Sequence, residues 1–142
     1  MSSVTRPPIT PRGEEKLYFE ALKRHELVFH RCSACASVLF PLRQVCISCS
    51  HENLVLEVSA GNGIVHSFTT QHRASHPFFA DSVPYTLLLV DMAEGFRVLA
   101  NLIEGTEADI SVGAPVDAVF DDVDDELTLL RFRPTSEKDE RP

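Results

Sequence analysis

Apolar positions are distributed differently on either side of residue 50. Before it they come in short interrupted groups, and after it in runs long enough for strands. Thr10 followed by Pro11 has the form of an N-cap with proline in the first turn, and Glu14 and Glu15 complement a helix dipole. A helix over 11–24 is therefore predicted, with Leu17, Tyr18, Ala21 and Leu22 on one face. Its face would pack either on its own domain or on another subunit. Residues 27–31 and 38–40 read as strands entering and leaving a turn, and 54–59 and 64–73 as strands on either side of the turn Gly61-Asn62-Gly63. Two prolines with Phe78-Phe79 make 74–84 a loop. Residues 85–92 and 96–103 form a hairpin across Glu94-Gly95. Thr106 and Asp109 have capping-box spacing for one helical turn over 106–110, and 116–121 with 126–132 close a last hairpin over the acidic tip 121–125.

Five or six such strands with a helical turn before the last hairpin suit a mainly β chain ending in a small OB-fold Greek-key barrel; a sandwich is the alternative. The expected organisation is a flexible arm over 1–11, helix and ribbon over 12–51, the barrel over 52–134 and a disordered tail over 135–142.

The chain has 142 residues, 44% of them hydrophobic and 24% charged, enough for a packed core. No apolar run approaches a membrane span, and residues 1–30 lack the apolar segment of a signal peptide, so a soluble cytoplasmic protein with no membrane partner is expected. The formal net charge is −8 and uneven. Residues 12–51 carry six Lys/Arg against four Asp/Glu, whereas 52–142 carry six against seventeen. An acidic barrel argues against nucleic acid as partner, because that affinity comes from neutralising phosphates and stacking bases in a basic groove. A nucleic-acid-binding OB module is thus the weaker alternative.

Candidate chemistry centres on Cys32/Cys35 and Cys46/Cys49, two C-x2-C pairs ten residues apart. Each pair on a tight turn supplies half of a tetrahedral thiolate site, and four thiolates leave no coordination position open, so structural Zn2+ is expected. Disulfides would suit a secreted chain and a redox pair a βαβ context; iron would fit the same cage. His30 and His51 lie within two residues of a cysteine and are alternative ligands.

No G-x-S-x-G, phosphate-cradling glycine loop or H-E-x-x-H occurs in the chain. His66, His72 and His76 lie in or beside one strand, where a period of two puts His66 and His72 on one face, but a general base would need more than that. Lys23, Arg31 and Arg43 are candidates for contact with the phosphates of a ligand, against the plainer reading of a solvated basic surface. Phe40, Phe78 and Phe79 are candidates for partner contact; one of the adjacent pair would be an exposed anchor, or the loop would fold over the barrel. The run 121–126 lacks EF-hand spacing.

The ordered set of Cys32-x2-Cys35, Phe40-Pro41, Cys46-x2-Cys49, Gly61-x-Gly63, Val83-Pro84-Tyr85, Glu94-Gly95-x-Arg97, Val112-Gly113-x-Pro115-Val116 and Phe132-Arg133-Pro134 resembles the acyl-CoA-associated family of unknown function 35. The likeness spans about 12–134; Val45 and Ala36 stand where members often carry Pro and Gly. The resemblance implies a rubredoxin-like zinc ribbon joined to an OB-fold. It further implies a non-catalytic subunit in a hetero-oligomer with a thiolase-fold thiolase or aldolase, including those that cut steroid side chains, or with a hot-dog-fold enoyl-CoA hydratase. The partner would carry the catalytic residues, and the resemblance makes acyl-CoA the ligand whose phosphates Lys23, Arg31 and Arg43 would meet.

Overall fold

A computed structural model describes residues 4–135. Its elements are helix α1 (Glu15–Lys23) and strands β1 (Val28–Cys32), β2 (Val38–Leu39), β3 (Leu54–Val58), β4 (Asn62–Gln71), β5 (Tyr85–Met92), β6 (Arg97–Leu102), β7 (Pro115–Asp122) and β8 (Thr128–Pro134). Short 3-10 turns occupy Pro77–Phe79 and Glu107–Asp109. The first three β strands form a small sheet in the order β2-β1-β3, and the other five close into a barrel in the order β4-β5-β6-β8-β7. This is the mainly β, OB-type architecture expected from the runs of apolar residues. Among the described residues, no helix is long and apolar enough to cross a membrane. The tail beyond 135 lies outside the described residues, as do residues 1–3.

Strict in-out alternation on β5 and β6 builds the barrel core, where Leu88, Val90, Val98 and Leu102 meet Val65, Val116 and Phe132. That core extends beyond the barrel. Leu22 of α1 and Leu27 and Phe29 of the ribbon side belong to it, and Phe29 stacks on Phe96 with ring centroids 5.0 Å apart. The helix therefore packs on its own chain, with Ala21 and Leu22 buried and Leu17 left exposed. At the joint, Glu94 accepts hydrogen bonds from the Ser59 hydroxyl at 2.7 Å and the Ala60 N–H at 2.8 Å, which accounts for a carboxylate in that turn.

The structure corrects three expectations. The helix begins at Glu15 instead of near Pro11, because Gly13 sits at φ +56° and the chain turns there, leaving Glu14 at the N-cap position without a side-chain capping bond. Of the glycines read as a turn, only Gly61 has positive φ; Gly63 lies within β4, where a Cβ would meet Val90 Cγ1 at 2.6 Å and the Asp91 carbonyl oxygen at 2.8 Å. A β-bulge between Val65 and Ser67 interrupts the period of two, so His66 and His72 do not share a face. His66 lies 3.5 Å from Asp91 beside Arg97, whereas His72 lines a cavity with Thr70 and Tyr85. The capping box at Thr106 and Asp109 forms as its spacing predicts.

One ion pair ties the end of α1 to the barrel: His25 Nε2 lies 2.9 Å from Asp122, with the imidazole stacked on Phe120. The Thr128 hydroxyl, donating at 2.6 Å, and His25 hold the Asp122 carboxyl below its ordinary value. A carboxylate lowered in the folded state adds stability above its unfolded pKa of about 4 and loses it as pH falls through the folded value. The difference in urea midpoint between the native protein and Asp122→Asn should therefore be largest at pH 5–7 and shrink by pH 3, approximate bounds set by the reference carboxylate pKa.

Candidate metal centre

The two cysteine pairs sit on matching turns. In the first, the Ala36 N–H donates to the Cys32 carbonyl at 2.9 Å and the Ala34 N–H points at Cys32 Sγ at 3.4 Å. In the second, Ser50 N–H reaches the Cys46 carbonyl at 2.9 Å and Ser48 N–H reaches Cys46 Sγ at 3.4 Å. Each turn ends on a residue in the left-handed region, Ala36 and Ser50 both at φ 65°. The β1–β3 pairing, with Cys32 opposite Leu54 and the Ser33 N–H donating to the Asn53 carbonyl at 3.2 Å, brings the second turn against the first.

The result is four free thiols whose Sγ atoms all lie within 4.8 Å of one another. Across the turns, Cys32 and Cys49 approach to 3.6 Å, and so do Cys35 and Cys46. A zinc ion with Zn–S bonds of about 2.3 Å at the centre of a tetrahedron requires sulfurs roughly 3.8 Å apart, so the donor set fits. Cys32 and Cys46 are buried, while Cys35 and Cys49 are exposed at the edge of the site. The thiols affect one another strongly. The Ser37 hydroxyl, 3.1 Å away, is the main influence that brings Cys35 down to about 6. On Cys49 the largest single influence is a hydrogen bond to the His51 backbone, which lowers it, but Cys32, burial, Cys35 and Cys46 together push that thiol up to about 12. Sulfurs this close cannot all ionise unless a cation balances them, which a divalent soft-ligand metal does. With four thiolates bound, no position is left for water or substrate, so the chemistry it would supply is structural.

The two neighbouring histidines stand outside the sulfur group. His30 is 5% exposed, accepts the Arg43 N–H at 3.3 Å on Nδ1 and is held below its ordinary pKa chiefly by burial. His51 is exposed.

A consequence follows for the turns. Left-handed backbone costs a residue with a Cβ about 1–2 kcal/mol, and glycine gives back roughly 0.4–1 kcal/mol through the unfolded chain. Ala36→Gly should therefore raise stability by about 0.5–1 kcal/mol with zinc content unchanged, read from urea melts with metal analysis.

The other residues singled out in the sequence are not gathered into one site. Lys23 is exposed in the last turn of α1, Arg43 is exposed after β2, and Arg31 pairs with Glu57 at 2.6 Å across β1 and β3. Phe40 is half-buried against Tyr18 and Phe96, lining an apolar cleft between α1, the ribbon and β6. Phe78 and Phe79 are half-buried, edge to face at 5.1 Å, so neither projects as a free anchor. Above them lies a residue that sequence reasoning passed over, Arg6, whose guanidinium carbon is 4.9 Å from the Phe78 ring centroid.

Comparison with known proteins covers both units. Residues 19–55 match the family described as "ChsH2, rubredoxin-like zinc ribbon domain", and 57–121 match "ChsH2, C-terminal OB-fold domain". A DUF35 domain-containing scaffold protein of Methanothermobacter thermautotrophicus is 30% identical over 105 residues, 73% of this chain and 78% of its own. The probable enoyl-CoA hydratase alpha subunit of Thermomonospora curvata is 34% identical over 95% of this chain, which spans only 42% of that longer protein. Among solved structures, one chain of the "Ltp2-ChsH2(DUF35) aldolase" superposes with a TM-score of 0.79 at 36% identity, covering 91% of this chain and 98% of that one.

Proposed function

Because the chain belongs to the DUF35 family of zinc-ribbon and OB-fold proteins, we propose that it is a non-catalytic subunit of an acyl-CoA-processing complex, built to support a thiolase-fold enzyme. The observation that carries this reading is the near-complete overlap with the DUF35 chain of an aldolase, in which 98% of that chain is covered. The reaction assisted is carbon–carbon bond cleavage or formation, the partner supplies the reacting groups, and the complex is cytoplasmic. The ribbon with its helix, 12–51, and the barrel, 52–134, are two units that act as one support through their shared core.

The contact surface we assign is the cleft lined by Tyr18, Phe19, Phe40, Pro41 and Leu99, where apolar groups stand at the surface beside the metal-braced turns. Leu99, 61% exposed, continues the apolar lining of that cleft, and contiguous exposed apolar surface marks interaction sites. Co-expression with a thiolase-fold protein of the same genome should yield a hetero-oligomer, and Leu99→Glu should weaken capture at least tenfold. A chain that purifies alone under the same conditions sinks the proposal. Likeness to a hydratase alpha subunit favours a second reading, support of a hot-dog-fold hydratase, and capture of that partner instead would select it.

A further inference from the structure

The outer wall of the barrel carries a pocket used by neither the metal centre nor the cleft. Leu87, Asn101 and Arg131 stand opposite one another across β5, β6 and β8, pointing outward because their neighbours Leu88, Leu102 and Phe132 fill the core. This row is the floor of a cavity of about 320 Å³. Its roof comes from two distant segments, the Pro77–Phe79 turn and the N-terminal arm, which brings Arg6 over the Phe78 and Phe79 rings at 4.9 and 5.6 Å.

Arg6 is the feature that calls for a ligand. Its Nε is buried, yet no acceptor meets it among the described residues. The aromatic faces balance the guanidinium charge but accept none of its in-plane N–H bonds, and a desolvated donor without an acceptor is costly. A second cation, Arg131, lines the same cavity and is countered by Asp121 at 3.3 Å. Two guanidinium groups at one cavity, one of them with an Nε that lacks an acceptor, suit an anion with several acceptor oxygens, and phosphate matches that geometry bidentately. The remaining walls, Tyr85, Leu87 and Leu129 with the paired phenylalanines, suit the flat face of a base.

We propose that this pocket binds the phosphate end of a nucleotide, with Arg6 and Arg131 on the phosphate and the aromatic roof beside the ring. Two sources share that chemistry, a free nucleotide and the nucleotide end of CoA; only the choice of CoA as a probe rests on the subunit reading. Calorimetry on the zinc-loaded full chain with ADP, CoA and pantetheine tests it. Saturable binding of ADP or CoA, absent for pantetheine and weakened at least tenfold by Arg6→Gln but not by Lys16→Gln, is expected. CoA binding far more tightly than ADP assigns CoA as the source, and comparable affinities assign a free nucleotide. Absence of saturable ADP and CoA binding, pantetheine binding as tightly as CoA, or unchanged affinity in Arg6→Gln overturns the proposal. Melting curves and zinc content of Arg6→Gln verify its fold, and partner capture by the same variant separates loss of this pocket from failure of the subunit reading.

Discussion

A Cys46→Ser variant is expected to emerge from purification without stoichiometric zinc and with the metal end of its ribbon unfolded. Cys46 is 1% exposed and stands 3.6 Å from Cys35, so its sulfur belongs to the centre of the cage. Zinc in comparable small modules contributes roughly 10–16 kcal/mol, and the metal end of the ribbon has little to set against its loss. Its own apolar cluster is Cys32, Leu39 and Cys46 with Leu54 at the side, two of its members being ligands, and β2 is two residues long. The barrel core is separate from that cluster and should survive. Amide exchange should therefore accelerate to unprotected rates in the turns 32–36 and 46–50 while Val90 and Phe132 keep their protection. Chelation of the native protein should reproduce the pattern.

Gly63→Ala should produce the largest loss among single substitutions in the barrel that remove no side-chain contact. Gly63 pairs with Met92 on one side and Val116 on the other, where β4 is held between two strands. An added methyl would stand 2.8 Å from the Asp91 carbonyl oxygen, a backbone atom that moves only with its strand. Overpacking of this kind costs about 1–3 kcal/mol, and a rigid obstacle puts this position at the upper end. A fall in melting temperature of roughly 10 °C follows. Gly105→Ala is the comparison, because the nearest atom there is the Asp109 carboxylate at 3.1 Å, a side chain with more freedom to give.

Those two sites differ in how openly the sequence announces them. Four cysteines in two close pairs declare the cage, because metal geometry constrains spacing along the chain as well as in space. Barrel strands such as Tyr85–Met92 are legible for a different reason, as a nearly continuous apolar run, while the alternation that selects the core-facing side chains is evident only in the folded strand. The role of Gly63 was hidden, as a need for space leaves the same letter as a need for positive φ. The bulge at His66 was hidden too, because period counting assumes that every residue takes one step. Arg6 was missed for a deeper reason. The proline-rich composition of its arm describes how a segment behaves alone, whereas its burial depends on the outer wall formed by three strands far along the chain. The N-terminal boundary of α1 failed locally, at Gly13, where a turn displaced the cap suggested by Thr10 and Pro11.

The central claim is that this chain braces an enzyme and does no chemistry itself. Its most direct test is acyl-CoA turnover by three samples: the zinc-loaded chain alone, its thiolase-fold partner alone, and the complex. The account predicts no turnover by the chain, and activity of the complex well above that of the partner. Turnover by the isolated chain, or a partner equally active without it, would contradict the account.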